Sequence, residues 1–312
     1  MKQISSEVYN MNRISKILNN VQSNIITWGN PFSNNGQDVV ICITGNPGVT
    51  EFYIDFGSEL YRSLQLPVCV LGHAGHEGNC YNKSNISKND LTLFDLQGQL
   101  QHKLDFIENH VSQTSKIHLV GHSIGAWMII ELLLKNDKLM DKVLSVNLLF
   151  PTLQRMAESR NGIFVNNVFR KFSWFILFLC KLLYVLPTLA FRYIVYLYLM
   201  ATSMPYYYCD TIMQLVDPSV IEKVFLMAFD EMDTVKKLNT EGLNKIKHMT
   251  NVIYGNKDNW APLEYMEDIK KYQPYIQMTE AHNIEHAFVL KSSECVADMV
   301  ANFIKSKGIK KS

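Results

Sequence analysis

Two glycines flank a serine in the segment Gly121-His122-Ser123-Ile124-Gly125. The apolar run before it, Ile117 to Val120, predicts a strand, and residues 126–135 predict a helix. A strand that turns this sharply into a helix brings the two backbones almost into contact, so a Cβ atom two residues before or after the serine would clash. The glycines therefore permit an exposed hydroxyl at the apex of the turn, which is the geometry of a catalytic nucleophile.

The composition is that of a globular chain with a large core. Of its 312 residues, 47% are apolar and 19% are charged, which fits one elaborated domain better than two small ones. The formal net charge is +1. Proteins that bind nucleic acid carry a basic stripe or a strongly positive domain, so we expect no nucleic-acid partner.

The cysteines and the first residues indicate the compartment. The six cysteines form no Cys-x-x-Cys pair, and two of them, Cys42 and Cys69, fall in predicted buried strands. We interpret them as small apolar residues of a protein in a reducing compartment. Residues 1–20 lack the continuous apolar stretch of a secretory signal, so we expect a protein that faces the cytosol.

Short apolar runs alternate with amphipathic, helix-like segments along the chain. The predicted strands are Val39 to Ile43, Val68 to Leu71, Ile117 to Val120, Val143 to Phe150, Val252 to Tyr254 and Tyr275 to Met278. This alternation predicts a mostly parallel sheet flanked by helices, with catalytic residues at the carboxyl ends of the strands. Together with the serine turn it predicts an α/β-hydrolase fold. Residues 21–35 give a weak indication of an edge hairpin.

The alternation is interrupted after Val143 to Phe150, the strand that follows the predicted helix of residues 126–135. We expect a core of residues 1–150 and 250–312 and a largely helical, apolar cap of residues 151–249. Within the cap, residues 172–200 have few polar side chains and carry Pro187 near the middle. One straight helix would be about 43 Å long, beyond a hydrocarbon core of about 30 Å, while each half is only about 20 Å.

The apolar part of the cap therefore predicts a kinked or re-entrant hairpin in a membrane, rather than a spanning helix. Lys181 and Arg192 lie inside this run and favour shallow insertion, because a charge at the membrane centre is costly. An apolar lid over the site of a soluble enzyme is the alternative.

A serine nucleophile needs a base and a carboxylate that orients the base; in this fold they follow in the order acid, then histidine. Asp258 lies in the turn after the predicted strand Val252 to Tyr254, where the acid of this fold often lies, and is our candidate acid. The alternatives are Asp230, Asp233 and Glu264. The first two fall in a helix-like part of the insertion, and the third in the helix after the turn.

The candidate base follows the last predicted strand. His286 has room to turn back over the sheet before the final helix, whereas His282 lies closer to the strand end and is kept in reserve.

The tetrahedral intermediate needs two backbone N–H donors. Ile124, directly after the serine, is the candidate for one. Asn46, in the loop after the first parallel strand, is the candidate for the other, because Pro47 has no N–H and Gly45 lets the chain turn into the site.

His73 and His76 lie in a glycine-containing loop after the second predicted strand of the sheet. They supply neither a complete ligand set nor helical i, i+4 spacing. We therefore expect them at the rim of the site and expect no metal.

Several short motifs follow one another along the chain, and together they are typical of one protein family. They are Gly45-Asn46-Pro47-Gly48, Phe52-Tyr53, His73-Ala74-Gly75-His76, Gly98-Gln99, His102-Lys103, Gly121-His122-Ser123-Ile124-Gly125, Leu149-Phe150-Pro151-Thr152, Tyr254-Gly255 with Asp258 and Trp260, Glu267-Asp268-Ile269 and His286-Ala287-Phe288. On these motifs the chain resembles the lipid droplet-associated hydrolase family between about residues 39 and 305. One departure is Thr44 before Gly45, where many α/β-hydrolases carry histidine.

The resemblance implies an α/β-hydrolase on lipid droplets and the endoplasmic reticulum, on the cytosolic face. It implies Ser123, Asp258 and His286 as the triad, and neutral lipid esters, either sterol esters or acylglycerols, as substrates. The triad mechanism itself predicts no cofactor. It also implies that the apolar part of the cap docks on the droplet. Two other functions stay open: a lipid acyltransferase with the same triad, and a droplet-organising scaffold with little turnover.

Overall fold

The computed structural model describes residues 11–78 and 91–308. Its strands are β1 (Met11–Leu18), β2 (Val21–Trp28), β3 (Val39–Ile43), β4 (Val68–Leu71), β5 (Ile117–His122), β6 (Val143–Leu149), β7 (Thr250–Gly255) and β8 (Gln277–Ala281). They form one eight-stranded sheet in the order β1-β2-β4-β3-β5-β6-β7-β8. Strands β3 to β8 are parallel, and the β1–β2 hairpin joins antiparallel to β4. The predicted mostly parallel sheet is confirmed.

The helices are α1 (Ile54–Leu64), α2 (Leu96–Asn109), α3 (Ile124–Lys135), α4 (Asp137–Met140), α5 (Arg160–Phe164), α6 (Arg170–Val185), α7 (Thr188–Thr202), α8 (Cys209–Leu215), α9 (Pro218–Thr234), α10 (Thr240–Ile246), α11 (Leu263–Lys270) and α12 (Ser293–Ser306). Alternate residues of β3 enter two separate cores: Ile41 packs with α2, α3, α10 and α11, whereas Val40 packs with α1 and α12. The sheet is thus buried on both faces, as parallel sheets require.

Two sequence-based strand boundaries are wrong. The edge hairpin spans 11–28 rather than 21–35, and its turn residues Asn19 and Asn20 both have positive φ, 45° and 64°. Asparagine tolerates this region, which suits a two-residue hairpin turn. The last strand begins at Gln277 rather than Tyr275; as an edge strand it is mostly half-exposed and carries little apolar signal.

The chain between β6 and β7 is helical, from α5 to α10, with a π-helical turn at Val165–Phe169. Helix α6 ends at Val185 and α7 begins at Thr188, so the expected break falls at Pro187. Proline has no N–H to continue the ladder and holds Leu186 extended, at φ −63° and ψ 151°. Within the described ranges, no helix combines the length and apolar character needed to cross a membrane.

Four cysteines, at positions 42, 69, 180 and 209, are buried free thiols, and Cys295 is an exposed one. Cys80 lies outside the described residues.

Candidate active site

Ser123 stands between the end of β5 and the start of α3 with φ 55° and ψ −120°, a strained backbone conformation for a residue with a side chain. A Cβ atom at Gly121 would lie 2.6 Å from a backbone oxygen in the first turn of α3. A Cβ atom at Gly125 would lie 2.5 Å from the carbonyl oxygen of Ile43, at the end of β3. Both glycines are therefore required sterically, but the second is required by the neighbouring strand rather than by β5.

Three side chains from the ends of three parallel strands meet at this turn. Ser123 Oγ lies 2.9 Å from Nε2 of His286, and Nδ1 of His286 lies 2.7 Å from Oδ2 of Asp258. Asp258 follows β7, and His286 follows β8. The structure thus brings together the candidate nucleophile, base and acid that the sequence selects.

The environment of Asp258 keeps it ionised. Burial alone would raise the pKa of this carboxyl, but the charge and hydrogen bond of His286 and the N–H groups of Trp260 and Ala261 hold the pKa below its usual value. A carboxylate at this place accepts the Nδ1 proton of His286. In the neutral imidazole with its proton on Nδ1, Nε2 accepts a hydrogen bond from the hydroxyl of Ser123.

The alternative residues lie elsewhere. The His282 side chain is 71% exposed and pairs with Glu280. Asp230 accepts the N–H of Leu96, and Asp233 pairs with Arg170. Glu264 is exposed in the first turn of α11.

The loop after β3 packs directly on the nucleophile. A Cβ atom at Gly45 would lie 3.0 Å from Cβ of Ser123. The N–H of Gly45 donates to the hydroxyl of Tyr53 at 2.7 Å, so it is not available to bind an oxyanion. Pro47 has no N–H, so Asn46 remains the candidate donor from this loop, and Ile124, the first residue of α3, remains the other candidate.

Sequence reasoning missed a buried chain of hydrogen bonds behind the serine. The Tyr53 hydroxyl lies 2.6 Å from Nδ1 of His122, and Nε2 of His122 lies 2.9 Å from the backbone oxygen of His286. Burial, with a contribution from the charge of His286, lowers the pKa of His122 to about 3, so its imidazole is neutral. Nε2–H therefore donates to His286, and Nδ1 accepts the proton of Tyr53.

Two largely apolar cavities meet beside the serine. The larger, of about 560 Å³, extends toward Phe191 and Val195 of α7. The smaller, of about 260 Å³, contains Ser123 and a buried glutamate, Glu231, that sequence reasoning missed. His286 lines both cavities.

The expectation that His73 and His76 lie at the site rim is wrong, because both are buried. Nδ1 of His76 accepts the N–H of Gly48, and the N–H of His73 donates to the Gly48 carbonyl. A Cβ atom at Gly48 would overlap the His73 ring. The two histidines thus lie behind the loop after β3 and support it. Within residues 11–78 and 91–308, no metal-binding group of side chains is present.

A serine at a strand–helix elbow, bonded to a histidine and an aspartate from later strands of a mostly parallel sheet, defines an α/β-hydrolase. Solved structures agree on the fold: a bacterial membrane phospholipase A matches with a TM-score of 0.66 at 15% identity, covering 96% of this chain and 87% of that one. A putative lipase from Acinetobacter baumannii matches with a TM-score of 0.66 at 13% identity, covering 96% and 93%.

Sequence comparison gives the family. The model of the lipid-droplet associated hydrolase family matches residues 36–289. A lipid droplet-associated hydrolase of Drosophila melanogaster is 36% identical over 297 residues, which cover 92% of this chain and 96% of that protein. The human protein of the same name is 30% identical, covering 86% and 84%. This chain belongs to the lipid-droplet associated hydrolase family.

Proposed function

We propose that the protein is a serine ester hydrolase that cleaves neutral lipid esters at the cytosolic surface of lipid droplets and the endoplasmic reticulum. The observation that carries the proposal is the hydrogen-bonded series Ser123, His286 and Asp258 at the junction of two apolar cavities. The names of the relatives, which refer to hydrolysis and to lipid droplets, support it.

The first half-reaction forms an acyl-enzyme. Oγ of Ser123 attacks the acyl carbonyl carbon while Nε2 of His286 takes the hydroxyl proton, and Asp258 stabilises the resulting imidazolium. The carbonyl oxygen becomes an oxyanion, which accepts hydrogen bonds from the backbone N–H groups of Ile124 and Asn46. His286 then gives its proton to the alcohol oxygen as the carbon–oxygen bond breaks.

The second half-reaction releases the acid. A water molecule gives a proton to His286 and attacks the acyl carbon, and the proton returns to Oγ of Ser123 when the second tetrahedral intermediate collapses. Every proton transfer uses residues already in place, so the cycle requires no cofactor.

The cavities favour an ester that is apolar on both sides of the carbonyl. The larger is lined by Leu183, Val195 and Leu215, and the smaller by Val165 and Phe225, while both reach His286. A sterol ester or an acylglycerol satisfies this requirement, because each places hydrocarbon on the acyl side and on the alcohol side.

Helices α6 and α7, which we call the apolar helix pair, carry the proposed docking surface. Their exposed apolar and aromatic side chains are Phe172, Trp174, Phe175, Phe178, Leu179, Leu182, Tyr184, Val185, Leu189, Tyr193, Ile194, Tyr196, Leu197, Tyr198 and Met200. An exposed patch of this kind is typical of a membrane or protein contact. The break at Pro187 lets both helices lie in a single lipid layer over an oil core.

A direct test compares the wild type with Ser123→Ala. The purified proteins are treated with a fluorophosphonate probe and with emulsified cholesteryl and triacylglycerol esters; Ser306→Ala, at the end of α12, is the matched control. We expect Ser123→Ala to lose labelling and to reduce turnover by about 10⁴- to 10⁶-fold. Ester cleavage unchanged by Ser123→Ala would contradict the mechanism. Acyl transfer to a sterol in place of water would identify an acyltransferase, and droplet clustering that survives Ser123→Ala would favour the scaffold function.

A further inference from the structure

A glutamate lines the smaller cavity next to the serine. Glu231, on α9, is only 1% exposed and shares that cavity with Ser123, Asn46 and His286. A buried carboxyl in a largely apolar cavity is costly, so its presence requires a physical reason.

The contact of Glu231 with the loop after β3 supplies that reason. Nδ2 of Asn46 donates one hydrogen bond to Oε1 of Glu231 at 2.8 Å and a second to the carbonyl oxygen of Val224 at 3.3 Å. Both amide protons of Asn46 are therefore directed to α9. Helix α9 thus fixes the side chain of Asn46, which is the candidate oxyanion donor in the loop after β3.

We infer that Glu231 is a positioning residue that, in its neutral form, holds Asn46 in the orientation that stabilises the oxyanion. The inference rests on the proposed ester hydrolysis. A neutral carboxyl accepts the Asn46 hydrogen bond without placing a second negative charge beside the oxyanion, whereas a carboxylate at this place would oppose the transition state electrostatically.

The surroundings of Glu231 favour the neutral form. Burial raises the pKa of Glu231 to about 8, against the hydrogen bond of Asn46, and the charge of Asp230 on the same helix acts in the direction of burial. Across the cavity, the titratable group is His286 with its partner Asp258.

Three cations on or near α9 are engaged elsewhere. Arg170 of α6 pairs with Asp233, and Arg155, before the short 3₁₀ turn that packs on α9, pairs with Asp268. Lys223 of α9 donates to the carbonyl oxygen of Ser219 and lies over the ring of Phe94, which precedes α2.

The charge of Glu231 determines how the rate depends on pH. Below about pH 8 Glu231 is neutral and does not oppose the oxyanion. As the pH rises through that value, the new negative charge lowers the rate of acylation. Wild type therefore loses kcat/KM on the alkaline side. Glu231→Gln, which keeps a carbonyl acceptor for Asn46 and cannot ionise, should keep the rate at neutral pH and remove the alkaline loss.

The experiment measures kcat/KM for a soluble p-nitrophenyl ester between pH 6 and 10, with Ser123→Ala as the background. The variants are Glu231→Gln, Glu231→Leu and, as a control on the exposed face of α9, Glu222→Gln. We expect the alkaline loss in wild type and Glu222→Gln but not in Glu231→Gln. Glu231→Leu should lower kcat by about 10- to 100-fold at every pH, because the Asn46 amide loses its acceptor.

An alkaline loss in Glu231→Gln equal to that of wild type would overturn the inference, and so would full activity in a folded Glu231→Leu. If Glu231→Leu does not fold, the pH profile of Glu231→Gln decides alone. Failure of the proposed function is a separate result: wild type itself would then show neither fluorophosphonate labelling nor ester cleavage.

Discussion

The hydroxyl of Tyr53 lies 2.6 Å from Nδ1 of His122, the residue immediately before the nucleophilic turn. Because that hydroxyl also accepts the N–H of Gly45, and His122 donates to the backbone of His286, one buried chain joins three loops. These are the loops that would supply the oxyanion donor, the nucleophile and the base. Within this buried chain, the phenol hydroxyl of Tyr53 joins the loop after β3 to the residue before Ser123.

Removing this phenol gives the first prediction. Tyr53→Phe leaves the Gly45 N–H and Nδ1 of His122 buried without their partner. We expect a loss of about 2 to 4 kcal/mol in the free energy of unfolding. We also expect a fall of about 10- to 100-fold in kcat, because small displacements at a reacting centre are costly. Urea unfolding and ester hydrolysis measure both effects, with exposed Tyr193→Phe as the control. Wild-type stability in Tyr53→Phe would show that the hydrogen bonds of Tyr53 do not stabilise the fold.

The two histidines after β8 give the second prediction. His286→Asn removes the group bonded to Ser123 and should reduce kcat by about 10⁴- to 10⁶-fold. His282→Asn should keep wild-type kcat, because the His282 side chain is 71% exposed and pairs with Glu280. Hydrolysis and fluorophosphonate labelling are measured in both variants. A larger loss in His282→Asn than in His286→Asn would reverse the assignment.

The elbow glycine gives the third prediction. In Gly121→Ala, the new Cβ would lie 2.6 Å from backbone of the facing helix turn, and a backbone atom cannot move aside cheaply. We expect a loss of about 3 kcal/mol or more in unfolding free energy and loss of fluorophosphonate labelling. In the control, Gly78→Ala, the nearest atom lies 3.9 Å from the new Cβ, so stability should be kept. Equal stability of the two variants would exclude the steric explanation.

The sequence predicts those parts of the site that depend on adjacent residues or on the order of strands in the sheet. The turn at Ser123 depends on five adjacent residues, Gly121 to Gly125. Asp258 and His286 are candidates because the carboxyl ends of parallel strands meet at one edge of the sheet, which brings together the residues that follow the strands.

The contacts that the sequence does not predict join distant segments through packing. Glu231 and Asn46 are 185 residues apart, and their meeting depends on how α9 crosses the loop after β3. One signal was available: Val220, Val224 and Met227 form a buried stripe on α9, and Glu231 continues it at helical spacing. A carboxyl on the apolar face of a helix is a candidate for a special role.

Buried histidines give the fourth prediction. Burial lowers the pKa of His76 and of His122 to about 3 each. Between about pH 6.5 and 3 the unfolded chain takes up protons that the folded chain does not. Each of these histidines therefore lowers the free energy of unfolding by about 1.4 kcal/mol for each pH unit of acidification. Urea unfolding from pH 7 to 4.5 should show a shallower pH dependence in His76→Gln than in wild type or His282→Asn. An unchanged slope in His76→Gln would show that folding does not lower the pKa of His76.

The tip of the apolar helix pair gives the fifth prediction. Val185 and Leu189, on either side of the break at Pro187, are 83% and 82% exposed. Transfer of each side chain into lipid contributes about 1.5 to 3 kcal/mol, so Val185→Glu with Leu189→Glu should weaken partition onto artificial droplets by about a hundredfold or more. Hydrolysis of a soluble ester should persist, because neither residue contacts the triad, whereas hydrolysis of droplet ester should fall. Droplet flotation measures binding, with exposed Ile17→Glu on β1 as the control. Unchanged flotation of the double variant would mean that another surface docks. If the double variant lost both flotation and soluble-ester activity, the helix pair would be needed to hold the active site together.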